Sequence, residues 1–135
     1  MVTVFHKLNL KDHAEIVVLN PPDSFERTLG MLKGVRVHRR LDEVGVVEFA
    51  LAFVTRQAEV DRLSRSLSAK AAVDALLWFA YPKGTSRNYA CDFNRDNGWN
   101  VLRGLGFDSV RQVAIDEDWS ALRFRRAQLI KRSPR

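Results

Sequence analysis

The sequence is poor in cysteine, since Cys91 is the only one among 135 residues. A single thiol cannot close a disulfide within the chain or build a cysteine cluster for a metal, and it is typical of a reducing compartment. Long apolar runs are also missing: no stretch approaches the ~18 apolar residues of a membrane-spanning helix, and the N-terminus has no secretory core. We therefore expect a cytoplasmic protein with no membrane segment and no bound metal.

Acidic residues are absent after Asp118, whereas six basic residues follow it. The whole chain has a formal net charge of +6 and a pI near 10.0, which favours an anionic partner such as a nucleotide, a phosphate or nucleic acid. Between Arg123 and Arg135 the only aromatic residue is Phe124, so no platform for stacking bases is apparent. We expect one domain over residues 1–127 and a basic tail over residues 128–135, and we do not expect nucleic acid as the main partner.

Apolar runs alternate with stripes at helical spacing along the chain. The order predicts a three-layer α/β sandwich, because strands that alternate with helices form a mostly parallel sheet covered on both faces. The final two strands form a hairpin, which makes the C-terminal strand antiparallel. Asp23, Thr55 and Asp92 are the expected N-caps, and Asp23 with Glu26 has the spacing of a capping box. Two helices are predicted to begin near Asp23 and Thr55, and a third is predicted over Phe93–Leu105. The predicted strands are Glu15–Leu19, Val35–His38, Glu48–Val54, Leu76–Tyr81, Ser109–Ile115 and Ala121–Ala127.

A polar loop follows the buried strand Leu76–Tyr81 and is the first candidate for a binding site. Ligands of open α/β sheets bind where the loops leave the carboxyl ends of the strands. The cations and hydroxyls of this loop could hold an anion, with help from the N-terminus of the following helix. The alternative is a solvated surface turn in which the lysine pairs with a nearby acid. The candidate residues of the loop are Lys83, Thr85, Ser86 and Arg87.

A second candidate is the turn between the last two strands, where three acids precede Trp119. Such acids could act as a base or bind a metal, but a solvated turn or a counter-charge to Lys83 is the simpler interpretation. The parallel order predicts that this turn, the Lys83 loop and Asn20 lie at the same edge of the sheet. Asp116 and Asp118 are therefore expected to form an ion pair with the Lys83 loop, and Trp119 is a residue that could stack on a ligand.

Several segments resemble a family of short bacterial proteins of unknown function. They are Leu77–Lys83, Ile115–Phe124 and the pattern in which Asp92 is followed by Arg95 and Asp96. The order of elements also resembles a shortened class I methyltransferase domain. That resemblance implies a Rossmann-like sheet whose last, antiparallel strand lies between the two strands that precede it in such domains.

The sequence departs from such methyltransferases where they bind adenosylmethionine. They have a glycine-rich turn after the first strand, but here that turn is Asn20-Pro21-Pro22. They also place an acid after the second strand for the ribose, but here the chain continues with Arg39 and Arg40. We therefore expect no cofactor in the usual mode. The leading hypothesis is a non-catalytic domain that binds an anionic small molecule or a partner protein at the carboxyl edge. The alternatives are a methyltransferase-type enzyme with an altered cofactor pocket and weak, sequence-independent nucleic-acid binding.

Overall fold

Strands and helices alternate along the chain, which a computed structural model describes over residues 3–94 and 97–130. Short 3-10 turns follow the second and the last strand, at Leu41–Glu43 and Ala127–Leu129. The elements are α1 (Val4–Lys7), β1 (Glu15–Leu19), α2 (Asp23–Gly30), β2 (Arg36–His38), β3 (Val47–Phe53), α3 (Gln57–Lys70), β4 (Ala71–Pro82), α4 (Asn100–Gly104), β5 (Phe107–Ala114) and β6 (Trp119–Arg126).

The strands form one sheet in the order β2-β1-β3-β4-β6-β5. The first four strands along the chain are parallel to one another. The last strand, β6, lies between β4 and β5 and is antiparallel to both. The predicted fold class, a mostly parallel sheet with an antiparallel C-terminal strand, is therefore confirmed.

Helices cover both faces of the sheet, and alternate strand residues build a core on each side. On β3, Ala50 and Ala52 face the side that α3 and α4 cover, whereas Phe49 and Phe53 face the side of α1 and α2. The indole of Trp78 lies in the second core, and its Nε1 donates to the carbonyl oxygen of Leu8 at 2.9 Å. Strands β3 and β4 are buried on both faces, which explains why their apolar runs do not alternate with polar residues.

The helix predicted over Phe93–Leu105 is wrong in length, since α4 occupies only its last part. Asn94 and Asn97 each accept the backbone N–H of the other at 3.1 Å, and such side-chain bonds compete with helical ones. Gly98 has a φ of 95°, which excludes a right-handed helix there. A Cβ atom at Gly98 would also lie 2.8 Å from the Cβ of Phe93, so this position requires glycine.

The three expected N-caps are also wrong, because none of these residues lies at the N-cap of the helix predicted for it. The N-cap of α2 is Pro22, and Glu26 binds Arg39 instead of closing a capping box. The N-cap of α3 is Arg56 rather than Thr55. The strand bounds differ from the predicted ones by one to two residues, except that β1 agrees and β4 begins five residues earlier, at Ala71.

Within residues 3–94 and 97–130, no helix is both long and apolar enough to cross a membrane. The same residues contain no group of three or more histidine, cysteine or acidic side chains that could hold a metal. Two predictions lie outside the described residues. One concerns Arg95 and Asp96, and the other concerns the basic tail after Ile130.

Candidate functional site

The loop after β4 and the turn between β5 and β6 meet at the carboxyl edge of the sheet. Pro82 is in register with Trp119, and the backbone N–H of Lys83 donates to the carbonyl oxygen of Asp118 at 2.7 Å. Because β1 is parallel to its neighbours, Asn20 lies at the same edge. The structure thus brings the candidate residues of the two loops together, and their role in binding stays a prediction.

The acids of the turn are bound to neutral donors rather than to cations. Asp116 Oδ1 accepts the backbone N–H groups of Asp118 and Trp119, at 2.8 and 2.9 Å. Asp118 Oδ1 accepts the hydroxyl of Ser86 at 2.8 Å, and its Oδ2 accepts the Asn88 amide at 3.1 Å. Among the described residues neither acid forms an ion pair, so the expected ion pair with the Lys83 loop is wrong. These carboxylates shape the loops.

Ser86 and Trp119 are both engaged in contacts within the two loops. The Ser86 hydroxyl oxygen also accepts the backbone N–H groups of Asn88 and Tyr89, at 3.3 and 3.1 Å. The Trp119 side chain is only 3% exposed, and its ring packs 4.9 Å from that of Tyr89 and 5.1 Å from that of Phe53. Its burial makes Trp119 a core residue rather than an open surface on which a ligand could stack.

The cations of the β4 loop remain without a counter-charge. Lys83 is half-buried, and Thr85 and Arg87 are exposed. In the part of the chain that the structure describes, none of these three side chains forms an ion pair or a hydrogen bond. Positive charge is therefore left at the carboxyl edge, beside acids that are already engaged.

The N-terminus of α3, next to the loop after β3, is bound by the carboxylates of Asp92 and Glu59. Asp92 Oδ1 accepts the N–H of Gln57 at 2.7 Å, so it caps α3 rather than a helix of its own. Glu59 Oε1 accepts the N–H groups of Thr55 and Arg56, at 2.9 and 3.2 Å. Negative charge at a helix N-terminus satisfies its free N–H groups and its dipole. This helix end therefore has little remaining attraction for an anionic ligand.

A cavity of about 280 Å³ lies between these loops and is lined by Thr55, Arg56, Ala90, Cys91 and Asp92. Burial raises the pKa of the Cys91 thiol, with smaller contributions from the nearby acids. A raised pKa keeps the sulfur protonated near neutral pH, and a thiol is a much poorer nucleophile than a thiolate. Of the residues that line this cavity, Asp92 is engaged as the cap of α3.

The turn after β1 has an unusual backbone. Asn20 adopts a left-handed φ of 54°, a conformation that asparagine tolerates better than most residues, and two prolines without N–H groups follow it. A cavity of about 180 Å³ at this end of β1 is lined by Leu19, Asn20, Leu41, Arg62, Leu63 and Ser66. Its volume is below the ~300 Å³ at which ligand pockets of ordinary size begin.

The basic residues after β2 are paired, in contrast to those after β4. Arg39 donates two hydrogen bonds to the carboxylate of Glu26, both at 2.7 Å. Arg40 binds Asp42 in the same way, at 2.7 and 3.1 Å. Hydrogen bonds from the guanidinium groups lower the pKa of both carboxyls. His38 lies 3.3 Å from a carboxylate oxygen of Glu43 and 3.3 Å from one of Glu15.

Solved structures with a similar fold include a methyltransferase, a putative methyltransferase and a pre-rRNA processing protein. A SAM-dependent methyltransferase from Aquifex aeolicus has a TM-score of 0.63 and 14% identity, over 91% of this chain and 87% of its own. A putative type 11 methyltransferase from Sulfolobus solfataricus has a TM-score of 0.54 and 7% identity, over 84% of each chain. The Methanococcus jannaschii fibrillarin pre-rRNA processing protein has a TM-score of 0.56 and 10% identity, over 87% of this chain and 68% of its own.

Sequence comparison adds no assignment: no protein-family model matches the chain, and no curated protein matches it either. The structural likeness nevertheless extends over most of the chain. The sheet order, with its antiparallel last strand inside the sheet, is that of the class I SAM-dependent methyltransferase fold.

Proposed function

We propose that this chain is a non-catalytic domain with a methyltransferase fold, and that it binds an anionic small molecule at the carboxyl edge through Lys83 and Arg87. The observation that supports this proposal is that the two cations of the loop after β4 are not paired with the acids beside them. The acids of the adjoining turn, Asp116 and Asp118, are bound to N–H, hydroxyl and amide donors, and within the described residues neither cation has a counter-charge. An anion would meet positive charge there.

The chemistry of the two cations suggests a phosphate or carboxylate ligand. The planar guanidinium of Arg87 can donate two parallel hydrogen bonds to either group, while Lys83 provides a compact charge. The exposed hydroxyl of Thr85 lies between them in sequence and adds a donor. An acidic patch on a partner protein would satisfy the same cations.

We infer a non-catalytic role because the carboxylates near this loop already cap a helix and the nearby thiol is protonated near neutral pH. Asp92 and Glu59 are committed to the N-terminus of α3, and the thiol of Cys91 has a raised pKa. A general base or nucleophile at this edge would first have to break these interactions, with a cost comparable to a lost helix cap.

A binding titration tests the proposal with inorganic phosphate, ATP and a dicarboxylate as probes. We expect at least one probe to raise the melting temperature and to give a calorimetric binding signal, since a ligand that binds only the folded state stabilises it. The double variant Lys83→Ala/Arg87→Ala should lose the signal. Lys33→Ala is the matched control, because it removes an exposed lysine beyond the C-terminal end of α2, at the opposite edge of the sheet. Equal binding by the double variant and the control would contradict the proposal.

The second candidate is a methyltransferase-type enzyme with an altered cofactor pocket beside Asn20, favoured by the fold. The residues there do not fit adenosylmethionine held in the usual mode. Pro21 and Pro22 offer no N–H groups, and Asp42 is already bound to Arg40. Adenosylmethionine belongs in the same titration: a micromolar dissociation constant that survives in Lys83→Ala/Arg87→Ala would favour this candidate over the first.

A further inference from the structure

A row of arginines lies on the face of β5 and β6 that continues from the α1 and α2 side of the sheet. Arg123 is in register with Trp78, whose indole is in the core beneath α1, so the two side chains share this face. Arg111 is directly opposite Arg123 in the antiparallel ladder. Arg125 is two residues further along β6 and therefore projects from the same face.

Charge pairing on this face leaves an excess of positive charge. Arg125 is neutralised by Asp74, with hydrogen bonds of 2.7 and 2.8 Å. The acid in register with Arg125 is Asp108, which lies 3.7 Å from the guanidinium of Arg103. Arg111 and Arg123 form no ion pair or side-chain hydrogen bond with any residue in 3–94 or 97–130. Asp74 is engaged by Arg125 and acts on Arg123 only through longer-range attraction.

Lys7 extends this positive charge along the strand. Its Nζ donates to the backbone carbonyl oxygen of Ala114 at 2.6 Å, a neutral acceptor that leaves the ammonium charge uncompensated. Ala114 and Arg111 are three residues apart on β5, or about 10 Å. We call Lys7, Arg111, Arg123 and Arg125 the basic strip.

The arrangement at Arg123 is costly without an anion. Its Nε is buried and has no hydrogen-bond partner among the described residues. Burial lowers the pKa of the Arg123 guanidinium, and the charges of Arg125 and Arg111 add to this shift while Asp74 opposes part of it. Like charges directly opposite each other across two strands are destabilising, and a buried donor without an acceptor is unfavourable. An oxyanion on the strip would relieve both penalties.

We propose that the basic strip binds the phosphodiester backbone of nucleic acid without sequence preference. Charges repeated along a strand suit a polyanion with repeated phosphates, and the arginine fork matches a phosphate. The net charge of +6 adds long-range attraction, and the sequence continues after Ile130 with Lys131, Arg132 and Arg135 and no acid. The strip supplies what the sequence did not reveal, a folded cationic surface in addition to a basic tail.

The test is a fluorescence-anisotropy titration of the full chain against a labelled random-sequence oligonucleotide, single-stranded and duplex, between about 50 and 200 mM salt. Arg111→Gln should weaken binding several-fold and reduce the slope of log K against log salt by about 0.9, the value of one phosphate contact. Asp74→Asn should act in the opposite direction, because it frees Arg125 for a further contact. Arg36→Gln, an exposed arginine on the other edge strand, is the matched control.

Three results would overturn the proposal. The first is that Arg111→Gln binds like Arg36→Gln. The second is that the strip variants lose binding to polyglutamate but not to nucleic acid, which would indicate an acidic protein partner. The third is binding that depends on base sequence more than on salt. The proposal is independent of the Lys83 loop: Lys83→Ala/Arg87→Ala should leave nucleic-acid binding unchanged, and Arg111→Gln should leave the binding of small anions unchanged.

Discussion

Two loops at the same edge of the sheet carry the same kinds of residue but pair them differently. After β2, Arg39 and Arg40 each bind a carboxylate through two hydrogen bonds. After β4, the carboxylate of Asp118 lies next to the basic loop but binds Ser86 and Asn88. The acids thus neutralise charge in the first loop and fix backbone shape in the second. Charge composition alone therefore does not indicate where positive charge is available.

The largest loss of stability that would test this comparison is expected from a substitution of Asp118. Asp118→Ala removes the acceptor of two side-chain hydrogen bonds that join the β4 loop to the β5–β6 turn, and it should lower the free energy of unfolding by about 2–3 kcal/mol. Urea denaturation measures the loss. Glu117→Ala removes the exposed neighbouring acid and should change stability little. Equal losses in the two variants would mean that Asp118 does not hold the loops together.

The next largest loss of stability is expected at Asp92, which caps α3 from a loop distant in sequence. Asp92→Ala leaves the N–H of Gln57 without its acceptor and should cost about 1 kcal/mol, as the loss of an N-cap does. Asp23→Ala, at the first position of α2, where no side-chain cap bond forms, should cost no more than about half of that. If Asp23→Ala proved the more damaging in thermal unfolding, the local capping pattern would have been the correct one.

A smaller effect is expected in the pH dependence of stability, to which the Glu26–Arg39 pair of the first loop contributes. The pKa of Glu26 is lowered in the folded state by the hydrogen bond from Arg39, so its contribution to stability is complete above its ordinary pKa of 4.5. That contribution is lost as the pH falls through 4.5 toward the lower folded-state value. Glu26→Gln should therefore lose less stability than the natural chain between pH 6 and pH 3. Parallel curves of unfolding free energy against pH would contradict the pairing. Added salt should reduce the difference, since the pair is exposed.

The smallest effect is expected for the unpaired cations. Lys83→Ala and Arg87→Ala remove charges that have no partner among the described residues, and each should change stability by less than about 0.5 kcal/mol. Differential scanning calorimetry is sensitive enough to show this. A loss above about 1 kcal/mol in either variant would mean that the cation supports the loop and is not free for a ligand.

The strand framework was accessible from the sequence, and so was the place of the candidate site. Strand β1 was predicted with its observed bounds, and the apolar run around Trp78 identified a buried strand, because burial on both faces leaves a local composition signal. The parallel order then put the loop at Lys83 and the turn at Asp116 at one edge. The length of α4 was not predictable in this way, since Asn94 and Asn97 bind each other's backbone within an apparently helical pattern.

The partners of the polar groups were decided only by the tertiary structure. Asp118 binds Ser86 across 32 residues, and Asp92 caps Gln57 across 35. The arginines of the basic strip become neighbours through the register of β5 on β6, which a shift of one residue would reverse. Apolar periodicity is a property of adjacent residues, and it indicated the core and the edge at which the loops gather. The place of the last strand inside the sheet followed instead from the resemblance to methyltransferase domains. Hydrogen bonds and ion pairs depend on which groups the folded backbone brings within about 3 Å, and no local pattern encodes that choice.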